Sequence, residues 1–295
     1  MSAGLPAIGL TSGDPAGIGP EIIAAALASG RLDARFDYRV LGPAAGVTPG
    51  QPTEATARTA LAALEESVRL ALAGEVSAVV TGPIHKARMQ AIGFTFPGQT
   101  EFFAKRAGSG DFAMCLTGGA LTVALVTAHV PLRRVAESLT SAEIVRVGLL
   151  LADFLRQRLA RGPRLAVAGL NPHAGESGAF GREEIEIIEP AVALLRGELG
   201  GAAECSGPHS PDTVFHRAAG GEFDGVLCMY HDQGLIPLKL HAFDTGVNVT
   251  LGLPFPRTSP DHGTAFELAG RGVARPDSMI AAINLAAELA HRRPS

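Results

Sequence analysis

Short apolar runs alternate with longer stretches of helical spacing along this chain, and no other feature narrows its possible folds as far. Ala7–Leu10, Tyr38–Leu41, Val76–Val80, Leu165–Leu170, Gly225–Cys228 and Val247–Leu251 read as strands. Residues 112–128 read as two more, around the turn Thr117-Gly118-Gly119. Between them, Thr53–Ala73 places Ala60, Leu61, Leu64, Val68 and Leu72 at helical spacing, and Thr140-Ser141-Ala142-Glu143 caps a helix running to about Ala160. Further helices are expected from Glu183 to about Glu198, near Thr264–Ala269 and over Pro276–His291, with Pro254–His262 as a loop. Apolar strands separated by helices bury both faces of a parallel sheet, so the expected class is α/β with a mostly parallel sheet. A second lobe would be an insertion crossed twice by the chain, because no linker divides the 295 residues.

Composition removes several classes of function. The net charge of −4 comes without a Lys/Arg run, which argues against nucleic acid or an anionic membrane surface as partner. No apolar run is long enough to span a bilayer, and Met1–Pro6 lacks the basic and apolar regions of a leader. A cytoplasmic protein is therefore expected. Cys115, Cys205 and Cys228 form no C-x-x-C pair and read as small core residues rather than a redox or zinc cluster.

Polar chemistry gathers where strands end. In an open parallel sheet the C-terminal strand ends face one crevice, and ligands bind there. The first strand runs into Gly13-Asp14-Pro15-Ala16-Gly17-Ile18-Gly19-Pro20-Glu21, whose spacing fits neither a dinucleotide fingerprint nor a phosphate-binding Walker loop. It reads equally as a tight turn or a ligand loop. His129, His173 and His231 each follow an apolar strand run. They are either three separate capping histidines or a catalytic metal site assembled from separate crossovers, with His85 and His262 as competing members. Downstream of His231, Lys239, Asn248 and Arg257 supply two cations and an amide, which suit a small molecule bearing phosphate and carboxylate.

These motifs resemble those of the 4-hydroxythreonine-4-phosphate dehydrogenases of the pyridoxal-phosphate pathway. Besides the Gly13–Glu21 turn, the resemblance rests on Thr81-Gly82-Pro83-Ile84-His85-Lys86, Asn171-Pro172-His173-Ala174-Gly175-Glu176 and Tyr230-His231-Asp232-Gln233-Gly234. Val247–Pro254 and Arg257-Thr258-Ser259-Pro260-Asp261-His262-Gly263-Thr264-Ala265 complete it, so it runs from about Leu10 to the C-terminal helix.

The resemblance implies two α/β/α lobes around a central cleft, as in the isocitrate and isopropylmalate dehydrogenases. A first, NAD-side lobe would comprise approximately residues 1–100 and 258–295, and a second, metal and dimer side, approximately residues 101–257. His129, His173 and His231 would hold one divalent ion per subunit, zinc, magnesium or cobalt. Gln99, Thr100, Lys239, Asn248 and Arg257 would bind substrate, with Lys239 also a candidate proton acceptor. Asp261, His262, Gly263, Thr264 and Ala265 would hold the adenosine end of NAD or NADP. A homodimer with its site at the subunit interface is implied as well. The implied reaction is oxidation of 4-phosphohydroxy-L-threonine to a β-keto acid that decarboxylates. Alternatives are the same chemistry on 4-phospho-threonate or 4-phospho-erythronate, a metal-dependent lyase or hydrolase without NAD, and a non-catalytic metabolite-binding protein.

The chain departs from the family at three points. Gly98-Gln99-Thr100-Glu101 stands where Gly-His-Thr-Glu is usual, Pro211-Asp212-Thr213 where Ala-Asp-Thr is usual, and the Gly42–Pro52 loop is shorter. A Gln amide donates and accepts hydrogen bonds but carries no charge near neutral pH.

Overall fold

The computed structural model describes residues 5–42 and 46–292; the opening residues 1–4 and residues 43–45 of the Gly42–Pro52 loop lie outside that range. The chain begins β1 (Ala7–Thr11), α1 (Gly19–Ala28), β2 (Asp37–Leu41), α2 (Glu54–Leu72), β3 (Ala78–Thr81), α3 (Lys86–Ala91) and α4 (Gln99–Ala107). It continues β4 (Ala113–Gly118), β5 (Leu121–Leu125), α5 (Val135–Ser138), α6 (Ser141–Arg158), β6 (Arg164–Ala168), α7 (Glu189–Leu199) and β7 (Glu204–His209). It ends α8 (Val214–Ala219), β8 (Gly225–Cys228), α9 (His231–Ala242), β9 (Val247–Leu251), β10 (Arg257–Pro260) and α10 (Asp277–His291).

These elements form two units, residues 1–110 with 247–295, and residues 111–246. The limits implied by the resemblance, 100/101 and 257/258, fall inside the first unit. The reason is local: α4 packs on α2 and β9 pairs with β10, so both elements stay with the first unit.

In the first unit the strand order is β2-β1-β3-β10-β9, all parallel except β9, which runs antiparallel to β10. Ile8, Leu10, Ala78 and Val79 are wholly buried, as strands covered on both faces require. α10 packs on β10 and β3, and its Met279, Ile283 and Ala286 are wholly buried. α2 starts at a reciprocal cap in which Thr53 Oγ1 accepts from Thr56 N–H (3.2 Å) and Thr56 Oγ1 accepts from Thr53 N–H (3.1 Å). Two expectations fail here. Pro254–His262 is not a loop throughout, since it contains β10. The helix near Thr264–Ala269 is a series of turns in which Ala265 takes φ 41°, a value no right-handed helix accommodates.

In the second unit β4 and β5 form an antiparallel hairpin and the order is β4-β5-β8-β6-β7, with β5, β8, β6 and β7 parallel. Leu116, Val123, Leu125, Val226, Cys228 and Leu238 are among the residues of its core. Cys115, Cys205 and Cys228 are free and buried, and burial pushes the Cys115 thiol up to about 12, so it stays an inert core residue. Thr140 caps α6 as its sequence predicts, accepting from Glu143 N–H at 3.2 Å. Past β8 the chain enters α9 at His231.

Candidate active site

The first unit buries a cation at the middle of its sheet. Arg257 is only 2% exposed. Its Nη1 donates to Thr250 Oγ1 (3.2 Å), its Nη2 donates to Gln99 Oε1 (2.9 Å) and to Thr81 Oγ1, and its guanidinium lies over the Phe103 ring at 5.2 Å. Every one of these partners is neutral, and Nε is buried without a hydrogen-bond partner. Burial pushes the guanidinium down to about 9 from its usual 12.5, against the opposing field of Glu101. A charge desolvated by that much and hydrogen-bonded only to neutral groups is strongly favourable to a bound anion. Thr100 adds a hydroxyl to the cluster, and Asn248 lies two residues before Thr250 on β9. Thr100 Oγ1 lies 3.4 Å from Thr250 Oγ1, and Asn248 Oδ1 is a buried acceptor with no partner.

The Gly-rich turn after β1 is a tight turn, not an open cradle. Asp14 N–H donates to Pro83 O, Gly17 N–H to Asp14 O, Ile18 N–H to Thr264 O and Ala16 N–H to Asp14 Oδ1, so these donors are spent within the unit. Gly13 takes φ 70° and a Cβ there would lie 2.1 Å from Pro83 O, which leaves glycine as the only fit. The turn holds the segment after β10 in place through Thr264. In that segment His262 Nδ1 donates to Gly263 O (3.3 Å), so the neutral ring presents Nε2 as an acceptor, buried and unpartnered. Burial lowers the His262 pKa, which favours that neutral form. Phe266 stacks on His85 at 5.7 Å with Arg88 over its ring at 5.8 Å.

The second unit carries the histidines. His129, just after β5, and His231, the first residue of α9, have ring centroids 5.9 Å apart. With Ala128, Val130, Tyr230 and Ile236 they line a pocket of about 440 Å³. His231 Nδ1 lies 2.7 Å from Asp232 Oδ1; a carboxylate only accepts, so the proton sits on Nδ1 and Nε2 is left for a ligand. Asp232 thereby orients His231. Gln233 does different work. Its Oε1 accepts from Met229 N–H and its Nε2 donates to Gly169 O, both at 2.7 Å, which ties the end of β8 to the end of β6.

His173 lies on a left-handed turn: residues 173–177 all have φ between 45° and 80°. Four of them are not glycine, and each costs roughly 1–2 kcal/mol in this region. Glu184, 1% exposed, holds the turn: its Oε1 accepts from Leu170 and Asn171 N–H at 2.7 Å and its Oε2 accepts from Asn171 Nδ2 at 2.9 Å. Gly175, at φ 80°, leaves room for that carboxylate, since a Cβ would lie 2.6 Å from Glu184 Oε2.

The candidate residues are thus only partly brought together. Gln99, Thr100 and Arg257 meet in the first unit, and His129 meets His231 in the second. The donor set for a metal is incomplete: among the described residues no three His, Cys, Asp or Glu side chains surround a common point, and His173 packs near Phe180 at 6.4 Å. Two imidazoles with an oriented tautomer suit a divalent ion, and a third leg would have to come from His173. Lys239 lies eight residues along α9 from His231, roughly 12 Å by helical rise. Thr81, Thr250 and Gln233 lie inside the motifs that carry the resemblance but show no individual role in the sequence, and Phe103 and Glu184 lie outside those motifs; the partners of all five emerge only in the fold.

Comparison with known proteins places the whole chain in a family. The profile of the family described as pyridoxal phosphate biosynthetic protein PdxA matches residues 23–286. A 4-hydroxythreonine-4-phosphate dehydrogenase of Caulobacter vibrioides is 45% identical, over 97% of this chain and 98% of that protein. The crystal structure of the 4-hydroxythreonine-4-phosphate dehydrogenase of Klebsiella pneumoniae superposes with a TM-score of 0.81 at 38% identity, covering 97% of this chain and 99% of that one. A β-decarboxylating dehydrogenase of Thermococcus kodakarensis, at 18% identity and a TM-score of 0.52 over 96% and 82% of the two chains, shares the fold alone.

Proposed function

Because this chain belongs to the PdxA family, the oxidoreductases named 4-hydroxythreonine-4-phosphate dehydrogenase, we propose that it oxidises 4-phosphohydroxy-L-threonine in pyridoxal phosphate biosynthesis. The observation that carries the substrate class is Arg257, a buried cation with neutral partners and a spare donor at Nε. An anionic group there would complete its hydrogen bonding and offset its desolvation. Asn248 Oδ1, a buried acceptor, suits a hydroxyl or ammonium hydrogen of the same molecule, and Thr100 offers a hydroxyl. Lys239 is assigned to the substrate as a cation and proton acceptor.

His129 and His231, with His173, would hold a divalent ion, zinc, magnesium or cobalt, which when bound polarises the substrate hydroxyl and eases loss of its proton. Asp232 fixes the His231 tautomer for that role. The hydride acceptor is NAD or NADP, whose nicotinamide carries the redox chemistry. His262 Nε2, a buried acceptor awaiting a donor, and the Asp261-His262-Gly263-Thr264-Ala265 segment suit its adenosine end. The β-keto acid product loses CO2.

The working unit is proposed to be a homodimer. Leu132, Ile236, Leu240 and Phe243, all in the second unit, are 65–89% exposed, and Leu132 and Ile236 line the histidine pocket. Among the described residues no helix is long and apolar enough to cross a membrane, and the cytoplasm, where phosphorylated acids and NAD are held, is the proposed location.

Gln99 favours a second reading, the same chemistry on 4-phospho-threonate or 4-phospho-erythronate, because it replaces the family's usual His in the substrate set. The test is NADH formation from each of the three acids with divalent metal added. Turnover of 4-phosphohydroxy-L-threonine at the highest kcat/KM supports the first reading. Turnover of the others alone selects the second, and none with any acid defeats both.

A further inference from the structure

Gln99 has both ends of its amide committed inside the first unit. Its Nε2 donates to Gly82 O at 3.1 Å and its Oε1 accepts from Arg257 Nη2 at 2.9 Å. Partner chemistry fixes this orientation: a backbone carbonyl only accepts and a guanidinium only donates, so the flipped amide would lose both bonds. Gly82 directly follows Thr81, the last residue of β3, whose Oγ1 accepts from the same guanidinium nitrogen. Gln99 therefore ties Arg257 to the end of β3 from the first residue of α4.

The choice of an amide has an electrostatic consequence. A carboxylate at this position would accept from Arg257 but cancel its charge and repel Gly82 O. A neutral imidazole could make both bonds, yet once protonated it only donates and repels the guanidinium. The amide alone holds the cation without changing charge. The second hydroxyl partner, Thr250, is neutral too, and Glu101 is the charged group whose field reaches Arg257.

We propose that Gln99 is a positioning residue, a neutral brace that fixes the guanidinium of Arg257 and leaves its positive charge for the ligand's anionic group, rather than a residue that touches the ligand. This rests on the reading of Arg257 as the anion-binding group. The cation is thereby held by side chains that do not titrate in the neutral range, the Gln99 amide and the Thr81 and Thr250 hydroxyls.

The test uses sulfate, a dianion throughout the neutral range, titrated calorimetrically into the full-length protein, with melting temperature recorded for every variant. Gln99→Ala is expected to weaken sulfate about tenfold, the scale of one hydrogen bond to a charged group. Gln99→Glu is expected to weaken it more than tenfold while the melting temperature holds or rises, because the buried guanidinium gains a counter-ion. A residue with a merely structural role would lower both together. Gln99→Ala on top of Arg257→Lys decides between brace and ligand contact. As a brace, Gln99 acts through the guanidinium, so the double variant binds no more weakly than Arg257→Lys alone. A further tenfold loss in that background would mean that Gln99 touches the anion, and the proposal falls. If sulfate binds the wild type no better than it binds Arg257→Lys, the anion-site reading fails with it. If only the Gln99 variants bind like wild type, the brace alone is overturned.

Discussion

The two units prepare for ligands in opposite ways. The first buries its key group. Arg257 sits in a strand, bonded to side chains from β3, β9 and α4, and what is missing is a charge and a partner for Nε. The second exposes its key groups. His129 and His173 are on the surface, His231 is half-buried, and His173 rides on a strained turn whose geometry depends on one buried carboxylate. The first unit's candidate group is buried with one donor unpartnered, whereas the second unit's candidates lie nearer the surface and one of them rides on a left-handed turn. Removing a key residue should therefore damage function without stability in the first unit, and damage both in the second.

The largest effect is expected from Arg257→Met. Loss of a buried cation that holds an anionic group should lower kcat/KM for the phosphorylated acid by at least about 100-fold, from the several kcal/mol that a desolvated charge pair contributes. Thermal stability should hold or rise, since an apolar side chain replaces a charge lacking a counter-ion. A melting temperature that collapses together with activity would break the contrast, because Arg257 would then be a structural keystone rather than an anion-binding group.

Glu184→Ala probes the other side. It leaves the Leu170 and Asn171 N–H groups without their acceptor and removes what holds the left-handed turn, so a loss of about 2–4 kcal/mol is expected in urea unfolding. Metal affinity should fall as well, because His173 loses its support. Glu184→Gln keeps an acceptor for the two N–H groups but turns its NH2 toward Asn171 Nδ2 or Gly175, and should fall between. Wild-type stability in the alanine variant would mean that the turn holds itself.

The sequence made the α/β class legible because parallel strands need apolar runs, and these stand out at Ile8, Val79, Val123, Val167 and Val226. It brought His129 and His231 together for the same reason, since both follow such runs. β10 was hidden because Arg257-Thr258-Ser259-Pro260 has neither apolar alternation nor β-branched enrichment; its burial comes from hydrogen bonds such as Thr258 Oγ1 to Ala282 O at 2.8 Å. α9 was hidden by Gly234 and Pro237, which mark turns in most contexts. His209 carries no signal in the sequence, yet it is half-buried at the end of β7, bonded to Ser206 Oγ (2.8 Å) and Arg217 Nη1 (3.2 Å). The Glu184 pedestal could not be read at all. A carboxylate that caps a turn thirteen residues away has no local pattern, and only the fold brings it there.

The smallest expected effect concerns whether charge outside the strained turn also stabilises the second unit. Asp224 precedes β8, accepts from Arg161 Nη2 and Nη1 (both 2.7 Å) and from Arg164 N–H (2.8 Å), and is well covered. Burial pushes its carboxyl up, but the Arg161 and Arg164 hydrogen bonds outweigh it and hold the group well below the usual carboxylate range. A carboxyl whose folded pKa is depressed stabilises the fold above its unfolded value near 4, and that stability is lost as pH falls through the folded value. Asp224→Asn should thus cost about 1–2 kcal/mol in urea unfolding at pH 7, and the gap to wild type should narrow steadily below pH 4. If the gap is the same at pH 7 and pH 3, Asp224 acts through packing rather than charge. The second unit would then owe its order to hydrogen-bonded geometry alone, which would sharpen its contrast with the charge-centred first unit.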